Sequence, residues 1–257
     1  METDILVDYS SPSTPPAPRS ANKRRLRILC LHGYKQNGTV FKSKTAVLRK
    51  SLDDIAEFVY VDAPHVIDET KGTSSWWRVS GDGKEYKGWE QTLDYLRNIF
   101  IKKGPFDGIM GFSQGAVLSS LLCSISSLNS DPSENGDCYR DISFQFGLLF
   151  SGFQSRATLH QSFYPCQQNH QQADAAESAA NSHPNSPHYP HNKITIPSLH
   201  IWGKADELVA ASNCESLSLQ FSHPQCYVHE HGHLMPTSKK DIEHYRSFLL
   251  QFVDVLE

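Results

Sequence analysis

The feature that most constrains this chain is an alternation. Short, nearly continuous apolar runs recur along it, and between them lie segments whose apolar residues fall at helical spacing. The runs are LRILCL (26–31), EFVYV (57–61), FDGIM (106–110), FQFGLLF (144–150), SLHIW (198–202) and QCYVH (225–229). A strand that is apolar on both faces has to be covered on both faces, which points to a mostly parallel sheet in a layered α/β fold. The segments between them supply the covers. Phe41, Val47, Leu48 and Leu52 are spaced for one helix, and Trp89, Leu93, Leu96, Ile99 and Phe100 for a second that Gly104 stops. GAVLSSLLCSISSL (115–128), SNCESLSLQF (212–221) and KKDIEHYRSFLLQFV (239–253) read as three more. Residues 65–88 read as a long polar connection that holds Trp76 and Trp77.

Two stretches fall outside this order. Residues 1–24 are rich in Ser, Pro and Thr without periodicity and are expected to be a disordered tail, leaving 25–257 as one domain. Residues 160–192 are low-complexity and rich in Gln, Asn, His and Ser. The histidines there are irregularly spaced, so the expectation is a floppy insert and not a metal-binding tract.

Charge and cysteine usage bound the function. A net charge of −4 over 257 residues offers no global reason for nucleic acid or an acidic membrane as partner. The basic run Lys23-Arg24-Arg25-Leu26-Arg27 reads as a solvated preamble, with a nuclear-import signal as the alternative. Cys30, Cys123, Cys138, Cys166, Cys214 and Cys226 form no C-x-x-C pair, which suits a reducing compartment; Cys30 and Cys123 look like small core hydrophobes. The N-terminus lacks the pattern of a signal peptide, and no apolar stretch reaches the length of a membrane span. A cytoplasmic protein without stable membrane insertion is expected, with nuclear entry as the alternative.

The chemistry centres on Gly111-Phe112-Ser113-Gln114-Gly115. By itself G-x-S-x-G arises by accident in roughly one chain of this size in ten. Here it falls between an apolar run and a helical pattern, where a tight strand-to-helix turn would present Ser113 as a nucleophile. In a doubly wound sheet the partners should follow in the order Ser, acid, His. Asp206, after the fifth run, is the candidate acid, with Glu207 its neighbour and rival. The segment YVHEHGHLMP offers His229, His231 and His233; His229 alternates within a strand, and His233, behind Gly232 and before Pro236, is best placed to swing over Ser113, ahead of His231. An H-x-H-x-H zinc site lacks supporting carboxylate or cysteine spacing. The backbone N–H groups of Gln114 and Tyr34 are the candidate oxyanion donors, with Gly33 allowing a sharp approach and His32 structuring the loop.

The stretches RILCLHGYKQNG, SSWW with GWEQTLDYL, GPFDGIMGFSQGA, LLFSGF, IPSLHIWGKAD and HEHGHLMP closely resemble the FSH family of serine hydrolases, whose animal members include esterases related to the product of the ovarian cancer-associated gene 2. The resemblance runs from about residue 25 to 253, apart from the insert. It implies an α/β-hydrolase core without a large lid domain and hydrolysis of carboxylic esters, of fairly long acyl chain in the animal esterases. It places the family's triad on Ser113, Asp206 and His233. The expected activity is that of a serine carboxylesterase acting on a small-molecule or lipid-like ester without cofactor or metal. Phe112, Trp76 and Trp77 are candidate walls of an acyl pocket, with core packing the alternative for the tryptophans. An acyl-protein thioesterase or lysophospholipase-like hydrolase shares the GFSQG elbow and is the alternative within enzymes. A non-catalytic ligand-binding member of the fold is the alternative outside them.

Overall fold

The computed structural model describes residues 24–80, 85–129, 139–165 and 193–253; most of the expected tail and insert lies outside them. The first half of the chain forms β1 (Leu26–Leu31), α1 (Gly38–Lys44), α2 (Ala46–Ser51), β2 (Ala56–Val61), β3 (His65–Asp68), β4 (Thr73–Ser75), β5 (Arg78–Val79) and β6 (Tyr86–Lys87). There follow α3 (Trp89–Lys103), β7 (Gly108–Phe112), α4 (Gln114–Asn129) and β8 (Phe146–Phe150). After a 3-10 turn at Thr158–Phe163 come β9 (Ser198–Gly203), α5 (Ala211–Ser218), β10 (Pro224–His229) and α6 (Lys239–Val253).

Each apolar run becomes a strand of one six-stranded sheet in the order β10-β9-β8-β7-β1-β2, with every neighbouring pair parallel. Successive side chains of a strand point to opposite faces, and the sheet therefore feeds two cores. Leu29, Leu31, Ile109 and Leu149 pack with the buried sides of α3 and α4. Ile28, Cys30, Met110, Phe150 and Ile201 pack on the other face with Phe41, Leu48, Tyr245 and Phe248. This is the expected α/β layering, with helices on both faces. The chain leaves β1 toward β2 and returns to β7 on β1's other side. Such a switch point opens a crevice at the carboxyl ends of the strands.

α4 is buried around most of its circumference from Ala116 to Ile125, as befits a helix held between the sheet and the turn at 158–163. Its serines return their hydroxyls to carbonyls: Ser119 to Gly115, Ser120 to Val117 and Ser124 to Phe163. Small, self-satisfied side chains let the helix lie close to the strands.

Three local expectations need correction. The single helix expected over 41–52 is broken into α1 and α2 at Thr45, whose buried hydroxyl donates back to the Phe41 carbonyl at 2.9 Å. Residues 65–88 are not a featureless connection, because β3 pairs with β4 and β5 with β6 in two antiparallel ribbons. Their strands are too short for any periodicity to register. His160 and Phe163, at the start of the expected insert, are buried against Trp89 and α4, so that part belongs to the core. Of the basic run, Lys23 lies outside the described residues and Arg24 and Arg25 are exposed, in keeping with a solvated stretch; Arg24 meets the Asp107 carboxylate at 2.6 Å, Arg25 donates to the Asp53 carbonyl and Arg27 to that of Pro105.

Burial lowers the pKa of His160 to about 4 and that of His200 to about 3. Both imidazoles are neutral in the fold but would take a proton near about pH 6.5 once unfolded. The unfolded state therefore binds more protons below that pH, and stability present above it is lost as the pH falls toward the folded values. Each histidine should add a slope of up to roughly 1.4 kcal/mol per pH unit in this window. Urea titrations between about pH 6.5 and about pH 5 should show the fall, to which burial of His32 and His229 also contributes, and His200→Gln should lower the slope by one histidine's share, up to roughly 1.4 kcal/mol per pH unit. An unchanged slope in that variant would refute the assignment.

Candidate active site

β7 passes into α4 with only Ser113 between them. Ser113 has φ +54°, the left-handed region that side-chain-bearing residues seldom adopt and that costs on the order of 1 kcal/mol or more. The turn is over-determined by its neighbours. The Ser113 N–H donates to the Phe150 carbonyl at 2.9 Å, and the Ser113 carbonyl accepts from Ala116 and Val117. Gly115 is required by space, since a Cβ there would stand 2.0 Å from the Leu31 carbonyl oxygen. The first turn of α4 can thus cross the end of β1. The N–H groups of Gln114 and Gly115, at a helix start, have no intrahelical acceptor.

The candidate acid and base come from the loops after β9 and β10. Asp206 follows β9 and is buried, while Glu207 is exposed. Asp206 Oδ1 accepts from the Leu208 and Val209 amides, each at 2.9 Å, and Oδ2 accepts from His233 Nδ1 at 2.7 Å. Burial pushes the Asp206 pKa up, but the Val209 amide, His233 and the Leu208 amide outweigh it and hold the carboxyl below its ordinary value. An ionised Asp206 has only acceptors, so the proton of a neutral His233 sits on Nδ1 and the lone pair on Nε2. The loop carrying His233 is stapled to β9: Lys204 donates to the His229 carbonyl at 2.8 Å and Ala205 to that of His231 at 3.3 Å. Gly203 permits the approach, because a Cβ there would lie 1.9 Å from the His231 oxygen.

Ser113 and His233 border one cavity of about 670 Å³, together with Gly33, Tyr34 and Phe112. The Phe112 ring lies 4.8 Å from the imidazole of His233. Asp206 and His233 are hydrogen-bonded; among the described contacts the Ser113 hydroxyl and His233 are not. In hydrolases that bond often tightens only in the substrate complex. His231 is exposed and His229 is buried at the end of β10, so His233 is the histidine that meets Asp206. His32 is structural: its Nδ1–H donates to the Gly33 carbonyl at 2.8 Å and its Nε2 accepts the Ala63 amide at 3.0 Å.

The tryptophans do not line this cavity. Trp76 and Trp77 are buried in the core, Trp77 stacked on Tyr86 at 4.9 Å. The remaining walls come from Phe41, Phe153, Leu208, Val209, Leu234 and Met235, with Gln36 and Lys44 at the polar side. Gln36, Phe153, Leu234 and Met235 fall within stretches quoted for the family resemblance, but nothing in the sequence marks any of these residues as a cavity wall, since they come from five separate segments. Among the described residues no group of three or more His, Cys, Asp or Glu could hold a metal ion, and no helix is long and apolar enough to cross a membrane.

The family described as "Serine hydrolase (FSH1)" matches residues 21–245. The chain belongs to the FSH1 serine hydrolase family. This FSH1 hydrolase is 31% identical over 254 residues to an Esterase OVCA2 of Danio rerio, covering 88% of this chain and 97% of that protein. It is 32% identical over 273 residues to Esterase AAEL000016 of Aedes aegypti, covering 98% and 84%. Among solved structures it resembles Zea mays acyl-protein thioesterase 2 with a TM-score of 0.58 at 19% identity, over 91% of this chain and 96% of that one. Esterase PE8 gives a TM-score of 0.56 at 17% identity, over 89% and 93%. At those identities the shared property is the α/β-hydrolase fold.

The contact between Gly203 and the His231 carbonyl sets where the FSH1 hydrolase's loop can pass. Gly203→Ala should push that loop off β9 and shift His233, lowering kcat by about tenfold or more. Ester turnover per folded molecule checks this, and wild-type kcat in a folded Gly203→Ala protein would contradict it.

Proposed function

We propose that this FSH1-family hydrolase is a carboxylesterase that cleaves medium- to long-chain acyl esters through Ser113, His233 and Asp206. The observation that carries the reading is the 2.7 Å bond between His233 and a buried Asp206 on the rim of the cavity that Ser113 borders. His233 Nε2 takes the Ser113 proton as the hydroxyl attacks the ester carbonyl. Asp206 keeps the imidazole in the tautomer that can do so and stabilises the imidazolium that forms. The backbone amides of Gln114 and Tyr34 receive the tetrahedral oxyanion. His233 then protonates the departing alcohol, and water repeats the sequence on the acyl-enzyme. Phe41, Phe112, Phe153, Val209 and Met235 offer a wall suited to an aliphatic chain, in a space of the size that small-molecule ligands fill. The aromatic wall is Phe112 and its neighbours, not the tryptophan pair.

A thioester is the second substrate class, favoured by the fold shared with the maize acyl-protein thioesterase. Both substrates pass through the same acyl-enzyme.

A fluorophosphonate probe should label the wild-type protein and not Ser113→Ala; labelling that survives the change removes Ser113 as nucleophile. Asp206→Asn should fold and yet turn over more slowly by a factor on the order of a thousand or more, because the imidazole loses its required tautomer. Near-normal turnover in that variant would reject Asp206 as the orienting acid. Rates on p-nitrophenyl esters from acetate to palmitate should rise with chain length, and a maximum at acetate would overturn the acyl preference. Faster hydrolysis of an acyl thioester than of the matched ester would select the second class.

A further inference from the structure

We propose that the strap Ser74–Trp77, which runs from β4 into the link between the two antiparallel ribbons, is the positioning element of the oxyanion site, and that the side chain of Gln114 is its clamp. The inference rests on reading the Tyr34 and Gln114 amides as the oxyanion donors. It assigns a role to the tryptophan pair that is neither pocket wall nor plain core filler.

The donors come from segments that the sheet does not join. The ladder between β1 and β7 ends at the pair Leu31 and Gly111, short of both Tyr34 and Gln114. A backbone amide cannot be re-aimed by a rotamer change, so the separation of these donors depends on whatever holds both stretches of main chain. The strap does this. On one side it grips the loop of residues 32–36 at both ends: the Trp76 indole N–H donates to the His32 carbonyl at 2.8 Å, and the Ser74 N–H donates to the Gln36 carbonyl at 2.8 Å. Tyr34 lies between those two anchors.

On its other side the strap holds the elbow. The buried Gln114 carboxamide accepts the Trp76 N–H through Oε1 at 3.1 Å and donates through Nε2 to the Trp77 carbonyl at 3.1 Å. Both ends of the amide are used on consecutive backbone groups, which leaves one orientation for the side chain and fixes the residue whose own N–H is a donor. The Thr92 hydroxyl of α3 donates to the Trp76 carbonyl and ties the strap to the helix layer behind it. Trp76 therefore sits in a continuous hydrogen-bonded path from one oxyanion donor to the other.

A group that only fills space should change stability; one that sets the spacing of oxyanion donors should change transition-state binding. Gln114→Met keeps volume and removes both amide bonds. Trp76→Phe keeps most of the ring and removes the bond to His32. Thr92→Val is a milder third variant, for use if either of the others folds poorly. Active sites would be counted by fluorophosphonate titration, so that kcat refers to folded enzyme. The expected result is a fall in kcat of about ten- to a hundredfold with KM within about twofold, and an equal loss of affinity for a trifluoromethyl ketone whose adduct carries the oxyanion. Trp89→Phe, in the same aromatic layer but bonded to neither donor segment, should lower Tm and leave kcat per titrated site unchanged.

Wild-type kcat and ketone affinity in Gln114→Met and Trp76→Phe, with only Tm lowered, would overturn the proposal while the oxyanion reading stood. An equal loss of kcat in Trp89→Phe would also overturn it, since the effect would then follow general loosening. Turnover and labelling that persist in Ser113→Ala would overturn both.

Discussion

The rest of the site depends on one close approach, that of the first turn of α4 to the end of β1. It is possible because Gly115 presents no Cβ to the Leu31 carbonyl. Given that approach, Ser113 must turn through a left-handed conformation to join β7 to α4. The energetic cost of that turn is offset by its backbone bonds to Phe150, Ala116 and Val117. Ser113, the proposed nucleophile, then borders the cavity at the sheet edge where strand order reverses.

A second constraint brings in groups more than ninety residues away along the chain. β9 and β10 are neighbouring parallel strands in register from Pro224 opposite Ser198 to His229 opposite Gly203. Parallel strands end together, so the loops after them leave side by side. Asp206 and His233 meet because each lies a few residues beyond such an end and because the two loops share backbone bonds. The carboxylate is satisfied three ways in a buried setting, which keeps it ionised despite burial. Its partner imidazole is thereby held with one nitrogen free.

The tryptophan pair shows how a residue type suited to one role can be placed in another. An aromatic doublet in a polar stretch suggests a wall for an aliphatic chain, and the cavity indeed has aromatic walls. They are Phe41, Phe112 and Phe153. The doublet is instead buried on the core side of the strap, where the indole N–H of Trp76 finds a carbonyl to satisfy it. A buried indole needs such a partner, and here the partner belongs to the loop that carries Tyr34.

How much was legible in the primary structure follows from the range of each signal. Strands buried on both faces write continuous apolar runs, so the sheet, its helices and the α/β class could be read directly. Gly-Phe-Ser-Gln-Gly between a run and a helix, with an acid and then a histidine after later runs, likewise named Ser113, Asp206 and His233 as candidates. What lacked a signal was everything set by contact across the fold. The two ribbons in 65–88 are made of strands of two to four residues, too short to show a period. The break at Thr45 depends on a single hydroxyl, and the burial of His160 on an aromatic cluster assembled from distant segments. The cavity walls and the two-sided grip on Gln114 arise only when loops from separate strand ends converge. The amino-acid order by itself determined which segments are strands and helices and which side chains can do acyl-transfer chemistry, because periodicity and residue type are local properties. Only the tertiary structure decided which histidine meets Asp206, what lines the cavity and what the Gln114 side chain grips, because those are distances between residues that the chain does not connect.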